Sequence, residues 1–254
     1  MCSSDLLPKQ TAGVSTAVAE QANENDPLPD VDEWESDVDV VTPKPTAGKQ
    51  IVSRQMLDMS NPAIDQLIYG DLVAEYNRQV EAKVGAAVIA AAGTPVTTFA
   101  TEAEFSALGA AYDSIIDLGV AVLEARKLPA DLLVMRTRRW GAFKKLKDSE
   151  GRPLIPSGSG GPVNVFGVGT VQAAGIIDDL PVIVTEGLGT SSYPESYVAM
   201  RASDTLLFES NLLRFRFEEQ AGPESVVLGI WGYTAVIVRQ GGRSTKRVEI
   251  TAAA

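Results

Sequence analysis

Between Ile64 and Val88 an apolar side chain recurs at every fourth position: Ile64, Ile68, Leu72, Tyr76, Val80, Val84 and Val88, with Leu67 and Val73 reinforcing the row. Over such a length this spacing fits a helix with an apolar stripe. Asn61 suits the N-cap and Pro62 the first helical position, while Gly93-Thr94-Pro95 provides a stop. The helix predicted over 62–92 is a rod of roughly 45 Å at about 1.5 Å per residue. Asp65, Glu75, Arg78 and Glu81 fall largely off the stripe. A rod of this length needs a core along its side, so the rest of the fold has to be arranged around it, with Ile64, Ile68, Leu72 and Tyr76 toward a sheet.

The flanking sequence supplies that sheet. A capping box at Thr101 and Glu104 opens a second helix through Phe105, Leu108, Tyr112, Ile115, Ile116 and Val120 to about Arg126. Leu132 to Met135 reads as a short buried strand, Arg138 to Leu146 as a short helix and Asp148-Ser149-Glu150-Gly151 as a turn. Ser157 to Pro162 is a flexible loop. Strands are predicted at Val165 to Val168, Pro181 to Thr185, Leu212 to Glu218, Val226 to Val238 and Arg247 to Thr251. In one of them Leu213, Phe215 and Phe217 alternate with Arg214, Arg216 and Glu218, the pattern of a strand with the apolar face buried. The class is α+β, with no internal repeat.

Charge and composition narrow the function. The chain contains no histidine, which removes Ser-His-Asp, Cys-His and most zinc chemistry and leaves carboxylate or lysine chemistry as the distant enzymatic reading. Cys2 is the only cysteine, too few for a disulfide framework. The net charge of −11 argues against a nucleic-acid-binding module, which needs a basic surface. No apolar run reaches the roughly 20 residues of a membrane helix. Residues 1–52 hold ten acids and three bases (Lys9, Lys44 and Lys49), so −7 of the net charge lies there. Within them Thr11 to Glu20 reads as a polar strand, Asn23 to Asp30 as a turn, and Glu33 to Val41 as a second strand. The second strand has Glu33, Glu35, Asp37 and Asp39 on one face and Trp34, Ser36, Val38 and Val40 on the other. Such a hairpin has too few apolar residues to stand alone. The start, Cys2-Ser3-Ser4-Asp5-Leu6, matches a translated sequencing adapter, so residues 1–6 are set aside from the fold, and the reading frame is expected to be truncated and metagenomic.

No cofactor, metal or catalytic site stands out. Gly167-Val168-Gly169 with Gly175 lacks dinucleotide-binding spacing and reads as turns. Asp178-Asp179 reads as a solvated turn rather than a calcium site. The cluster Arg136, Arg138, Arg139, Lys144, Lys145 and Lys147 is a solvated helix face, a subunit contact or a phosphate-binding face. Glu33, Glu35, Asp37 and Asp39 are either simply solvated or complementary to a basic surface on another subunit, with Arg214 and Arg216, pointing outward from their sheet, as the candidates.

The order of these elements resembles the major capsid proteins of tailed bacteriophages of the HK-ninety-seven type. The stretch from Val52 to Leu72, VSRQMLDMSNPAIDQLIYGDL, is similar to the start of the spine helix in actinophage-like members. Pro129 to Met135 with Arg139-Trp140, then Asp148 to Leu154, then Gly175 to Val182 resemble further family segments in the same order, with Asp179 where glycine is usual. The resemblance covers about residues 11–251. It implies an E-loop at 13–52, preceded by a remnant at 1–12. It also implies a P-domain from 53–98 and 196–240 and an A-domain from 99–195 and 241–254. The implied function is self-assembly into hexamers and pentamers of an icosahedral head enclosing double-stranded DNA. The implied location is the virion, with assembly in the host bacterial cytoplasm, no membrane, and scaffolding, protease, portal and decoration proteins as further partners. The nearest alternative is an encapsulin-type shell around cargo enzymes. Some members join subunits by an isopeptide bond from an E-loop lysine to a neighbour's asparagine. Here Asn23 to Glu35 contains no lysine.

Overall fold

A computed structural model describes residues 5–12, 35–59, 64–147, 149–151, 175–189, 194–218 and 224–252. In chain order the strands are β1 (Asp5–Ala12), β2 (Glu35–Val41), β3 (Lys44–Ser53), β4 (Thr97–Phe99), β5 (Leu132–Met135), β6 (Gly175–Ile177), β7 (Leu180–Val184), β8 (Glu195–Met200), β9 (Thr205–Glu209), β10 (Leu213–Glu218), β11 (Ser225–Val238) and β12 (Thr245–Ile250). The helices are α1 (Arg54–Met59), α2 (Ile64–Ala92), α3 (Glu102–Phe105), α4 (Ala110–Arg126) and α5 (Thr137–Lys145). Several expected features lie outside the described residues: the turn at 23–30, Glu33, the Asn61-Pro62 cap, the loop at 157–162 and the strand at 165–168 with its glycines.

The chain divides into two units, Met1–Lys44 and Pro45–Ala254. In the first, β1 pairs antiparallel with β2, with Leu6 opposite Val40 and Lys9 opposite Asp37. The ribbon includes Asp5 and Leu6, which pair with Val41 and Val40. The expected first strand begins before Thr11, and the remainder of its predicted span lies outside the described residues.

In the second unit α2 packs on two sheets. A four-residue repeat advances about 400° per step, so the apolar row winds by about 40° each time. From Ile64 to Val88 the row turns by roughly 240°, and its two ends face different directions. Toward the N-terminus, Ile68 and Tyr69 pack with Val52, Val226 and Leu228, and Tyr76 and Val80 pack with Ile230. These contacts lie on a sheet of order β10-β11-β3, with β9 also on β11. Toward the C-terminus, Val84, Val88 and Ile89 pack with Val134, Leu188, Val198 and Met200. Leu67 sits to the side of the row and is exposed, contrary to its expected reinforcing place.

Two contacts fix the helix between the sheets. The Lys83 ammonium donates to the hydroxyls of Thr46 on β3 and Thr234 on β11. Further along, Gly85 lies against the backbone of Gly187, where a Cβ would collide with the Gly187 carbonyl. The approach is tight from the other side too, because a Cβ on Gly187 would stand 2.6 Å from the Glu81 carbonyl oxygen. Thr185 secures this loop by donating to the Glu81 carboxylate and accepting from the Gly187 N–H at 2.9 Å.

The other sheet has the order β4-β12-β8-β5-β7-β6. One face meets the end of α2. The opposite face carries the main core, built from Leu133, Met135, Val182, Tyr197, Ala199, Val248 and Ile250 under Phe105, Ile115, Leu118, Trp140 and Phe143. Rings of Phe99, Phe105, Phe143 and Tyr197 meet edge to face, with centroids 5.1 to 6.3 Å apart, an arrangement that adds to the burial of the rings. The predicted helix from Thr101 to Arg126 is two helices. Thr101 caps α3 by accepting from the Glu104 N–H, as the capping box implied. The chain then breaks before α4 at Gly109, whose φ is +82°. This break resets the phase. Leu108, Tyr112, Ile116 and Val120 are exposed; Ile115 is buried as expected, and Ala111, Ser114, Leu118 and Val122 are buried beside it.

The basic cluster is also corrected. Arg139 is fully buried, not part of a solvated face. Its guanidinium donates to both Glu102 carboxylate oxygens at 2.9 and 3.1 Å and to Glu195 at 2.5 Å, and it stacks 4.4 Å from the Phe105 ring centre. Burial alone would lower its pKa, but the bonds and charges of Glu102 and Glu195 outweigh burial and raise it. Arg136 is buried as well and donates to Glu186 at 2.5 Å.

Two stability experiments follow from this packing. Gly85→Ala is expected to cost about 1–3 kcal/mol in urea denaturation through overpacking. Gly70→Ala, on the same helix with open space around it, is expected to be stabilising by about 0.5–1 kcal/mol. Equal effects of the two would rule out the close contact. Arg139→Met is expected to cost about 3–5 kcal/mol by leaving buried carboxylate charge unpaired. Adding Glu195→Gln to that variant should recover part of the loss, and no recovery would argue against the ion-pair account.

Candidate subunit interface

Three of the four candidate acids, Glu35, Asp37 and Asp39, lie on β2 and the candidate arginines on β10, while Glu33 lies outside the described residues. On β2, Glu35, Asp37 and Asp39 occupy alternate positions, as the sequence indicates. In register, β1 sets Ala12 opposite Glu35, Lys9 opposite Asp37 and Leu7 opposite Asp39. The register thus places one base, Lys9, at the position opposite Asp37, a pairing the sequence reading did not make. Between the acids, Val38 is 47% and Val40 62% exposed.

On β10 the two faces are the reverse of what the alternation suggested. Arg214 and Arg216 stand opposite Ile230 and Leu228 of β11. Directly opposite residues share a face, and Ile230 and Leu228 are buried toward α2. The arginines therefore lie on the α2 side of the sheet. Both remain exposed at its margin, and Arg214 sits 5.8 Å from the Tyr69 ring centre. Leu213, Phe215 and Phe217 point the other way and are 62%, 38% and 59% exposed. No helix of this chain covers them among the described residues. Phe215 covers Gly229 across the strand pair, where a Cβ would meet its ring, and Trp231 stands opposite Leu213. Alternation reveals that two faces differ, but the position of α2 decides which one the chain itself covers.

The remaining cations of the basic cluster stay at the surface. Lys144 lies 4.9 Å from the Trp140 ring centre. Arg138, Lys145 and Lys147 line an open cleft of about 550 Å³ with Ser106 and Glu102. Glu102 is already bonded to Arg139. At the other candidate site, Asp178 and Asp179 form the turn between β6 and β7, with φ of +49° and +60°. These left-handed values account for the glycine usual at the second position. The Tyr112 hydroxyl donates to Asp178 at 3.2 Å, and the aspartate's charge raises the tyrosine pKa. Among the described residues no group of three or more His, Cys, Asp or Glu side chains is placed to hold a metal ion. No helix among them is long and apolar enough to cross a membrane.

Comparison with known proteins agrees with this architecture. A chain from Microbacterium phage Oxtober96 superposes with a TM-score of 0.67 at 12% identity, covering 99% of this chain and 86% of the other. A chain from the capsid of a native GTA particle gives 0.64 at 17% identity, covering 98% and 85%. One from the mature capsid of bacteriophage PhiM1 gives 0.63 at 13%, covering 98% and 82%. At such identities the likeness speaks for the fold. No curated protein matches the chain in sequence. The model of the phage capsid family matches residues 7–223, and the chain accordingly belongs to that family: it is a major capsid protein, a structural and non-enzymatic subunit that associates with itself in the virion shell.

Proposed function

We propose that the subunit tiles an icosahedral head as hexamers and pentamers around double-stranded DNA, assembling in the host bacterial cytoplasm. In this reading residues 13–52 are the E-loop, 53–98 and 196–240 the P-domain, and 99–195 and 241–254 the A-domain. Scaffolding, protease, portal and decoration proteins would act at other stages of assembly. The observation that carries the reading is the incomplete covering of the single chain: the apolar face of β10 is exposed, and so are the valines Val38 and Val40 of β2. A subunit that repeats in a closed lattice needs only modest contacts, because the lattice multiplies them.

We further propose that the lattice is non-covalent. The tip from Asn23 to Glu35 has no lysine, and Lys44 and Lys49 lie toward the base of the arm. Holding the neighbour falls instead to the acidic face (Glu33, Glu35, Asp37, Asp39) and the basic pair (Arg214, Arg216). Exposed ion pairs contribute about 0–1 kcal/mol each and weaken with salt. Denaturing gel electrophoresis of particles should therefore show a single monomer band, and covalent ladders would refute the proposal. Assembly followed by light scattering should fall as salt rises and be impaired by Arg214→Glu. Salt-independent assembly that tolerates this variant would overturn the charge pairing.

A further inference from the structure

Helix α4 is apolar over a wider sector than its own sheet covers. Ala111, Ser114, Ile115, Leu118 and Val122 share one arc of the helix, and all five are buried. The adjoining arc carries Tyr112, Ile116, Val120 and Leu123, which are 38% to 48% exposed. Beyond it Asp113, Asp117 and Glu124 form a third arc, acidic and exposed. At about 100° per residue the apolar sector is roughly twice as wide as its covered part. Gly119 lies between the covered and the open apolar arcs, and a Cβ there would meet nothing of the chain. Glycine inside a helix is unfavourable by roughly 0.5–1 kcal/mol relative to alanine. The packing of this chain gives no reason for it, whereas a second molecule lying against the open arc does.

Charge decides what that molecule is. Among the described residues Asp113, Asp117 and Glu124 form no ion pair. In an antiparallel two-fold pairing of α4 with α4, both acidic arcs would fall on the same side and repel. In a parallel one, each acidic arc would be left without a cation. The end of α5 supplies cations. Lys144, Lys145 and the following Lys147 are exposed and form no ion pair among the described residues. Half-buried Ala142 and Leu146 lie among them. Lysine stems cover apolar surface while their ammonium groups stay in water, so this surface matches both open arcs of α4. Within one chain no ion pair joins the two surfaces among the described residues, although every copy carries both.

We propose that the outer face of α4 docks onto the lysine-bearing end of α5 in a second copy, a contact that rests on the shell reading above. The apolar arc lies on Ala142, Leu146 and the lysine stems, and the carboxylates meet the ammonium groups. A contact between two different surfaces runs head to tail and closes into a ring when the rotation fits. Rings of five and six subunits need such a contact, which a two-fold pairing of α4 cannot supply.

Charge exchange in the full chain tests this, with particle yield read by light scattering and electron microscopy. Asp113→Lys with Asp117→Lys should reduce the yield, and so should Lys144→Glu with Lys145→Glu. All four substitutions together should restore it, because every contact then again joins opposite charges. Gly119→Gln should also reduce the yield while leaving the thermal midpoint of the isolated subunit unchanged or raised, since glutamine is the better helix former. Wild-type yield from either charge pair or from Gly119→Gln, or no recovery in the fourfold variant, would overturn the docking. In a Cys2→Ser background, Ile116→Cys particles should stay monomeric on non-reducing gels after mild oxidation. A dimer band would place α4 on α4 and overturn the proposal as well. Each of these results leaves the shell reading intact. Absence of particles from the unaltered chain would overturn the shell reading, and the docking with it.

Discussion

Helix α2 is held between two sheets, and the rest of the second unit depends on that placement. The winding of its apolar row presents Tyr76 and Val80 to one sheet and Val84 and Val88 to the other. Glycine at position 85 brings the helix backbone against the loop at Gly187, and Lys83 ties the helix to β3 and β11 through two hydroxyls. A helix clamped at separate points along its length is stiffer than one packed at a single patch. The repeated subunit of a shell needs such a rigid element to keep its contacts in fixed relative positions.

The buried Arg139 has a related role in the second sheet. It links α5, which carries it, to α3 through Glu102 and to β8 through Glu195. Replacing such an ion pair by apolar groups is often neutral or favourable, so its contribution to net stability is small. Its geometry is demanding, however, since one planar guanidinium must face two carboxylates while lying on the Phe105 ring. The network therefore admits a narrow set of arrangements of the three elements.

Local signals in the sequence foretold much of this. The α2 row, the Thr101 cap and the short apolar run of β5 all depend on neighbours close in the chain. Long-range contacts account for the failures. All six residues of β8 are buried, so the strand shows no alternation, and its Glu195 is out of place in a core until Arg139 arrives from 56 positions away. In α4 the small residues Ala111 and Ser114 are inside, and Ser114 is bonded to the Tyr197 hydroxyl. Tyr112 and Ile116 are outside, an exchange of faces that Gly109 sets and hydrophobicity alone conceals. The candidate interface was half legible: both alternations were visible, but the covered face of β10 and the place of Lys9 opposite Asp37 were not.

The winding row on α2 also limits how this chain can change in length. Inserting or deleting one residue between Val80 and Val84 would rotate everything beyond by about 100° and shift it by about 1.5 Å. Val88 would then leave its sheet while Tyr76 kept its own, and the glycine at position 85 would no longer meet the loop. The contacts on the two sheets therefore fix the number of residues between Tyr76 and Val88, a constraint that the connections outside the helix do not share.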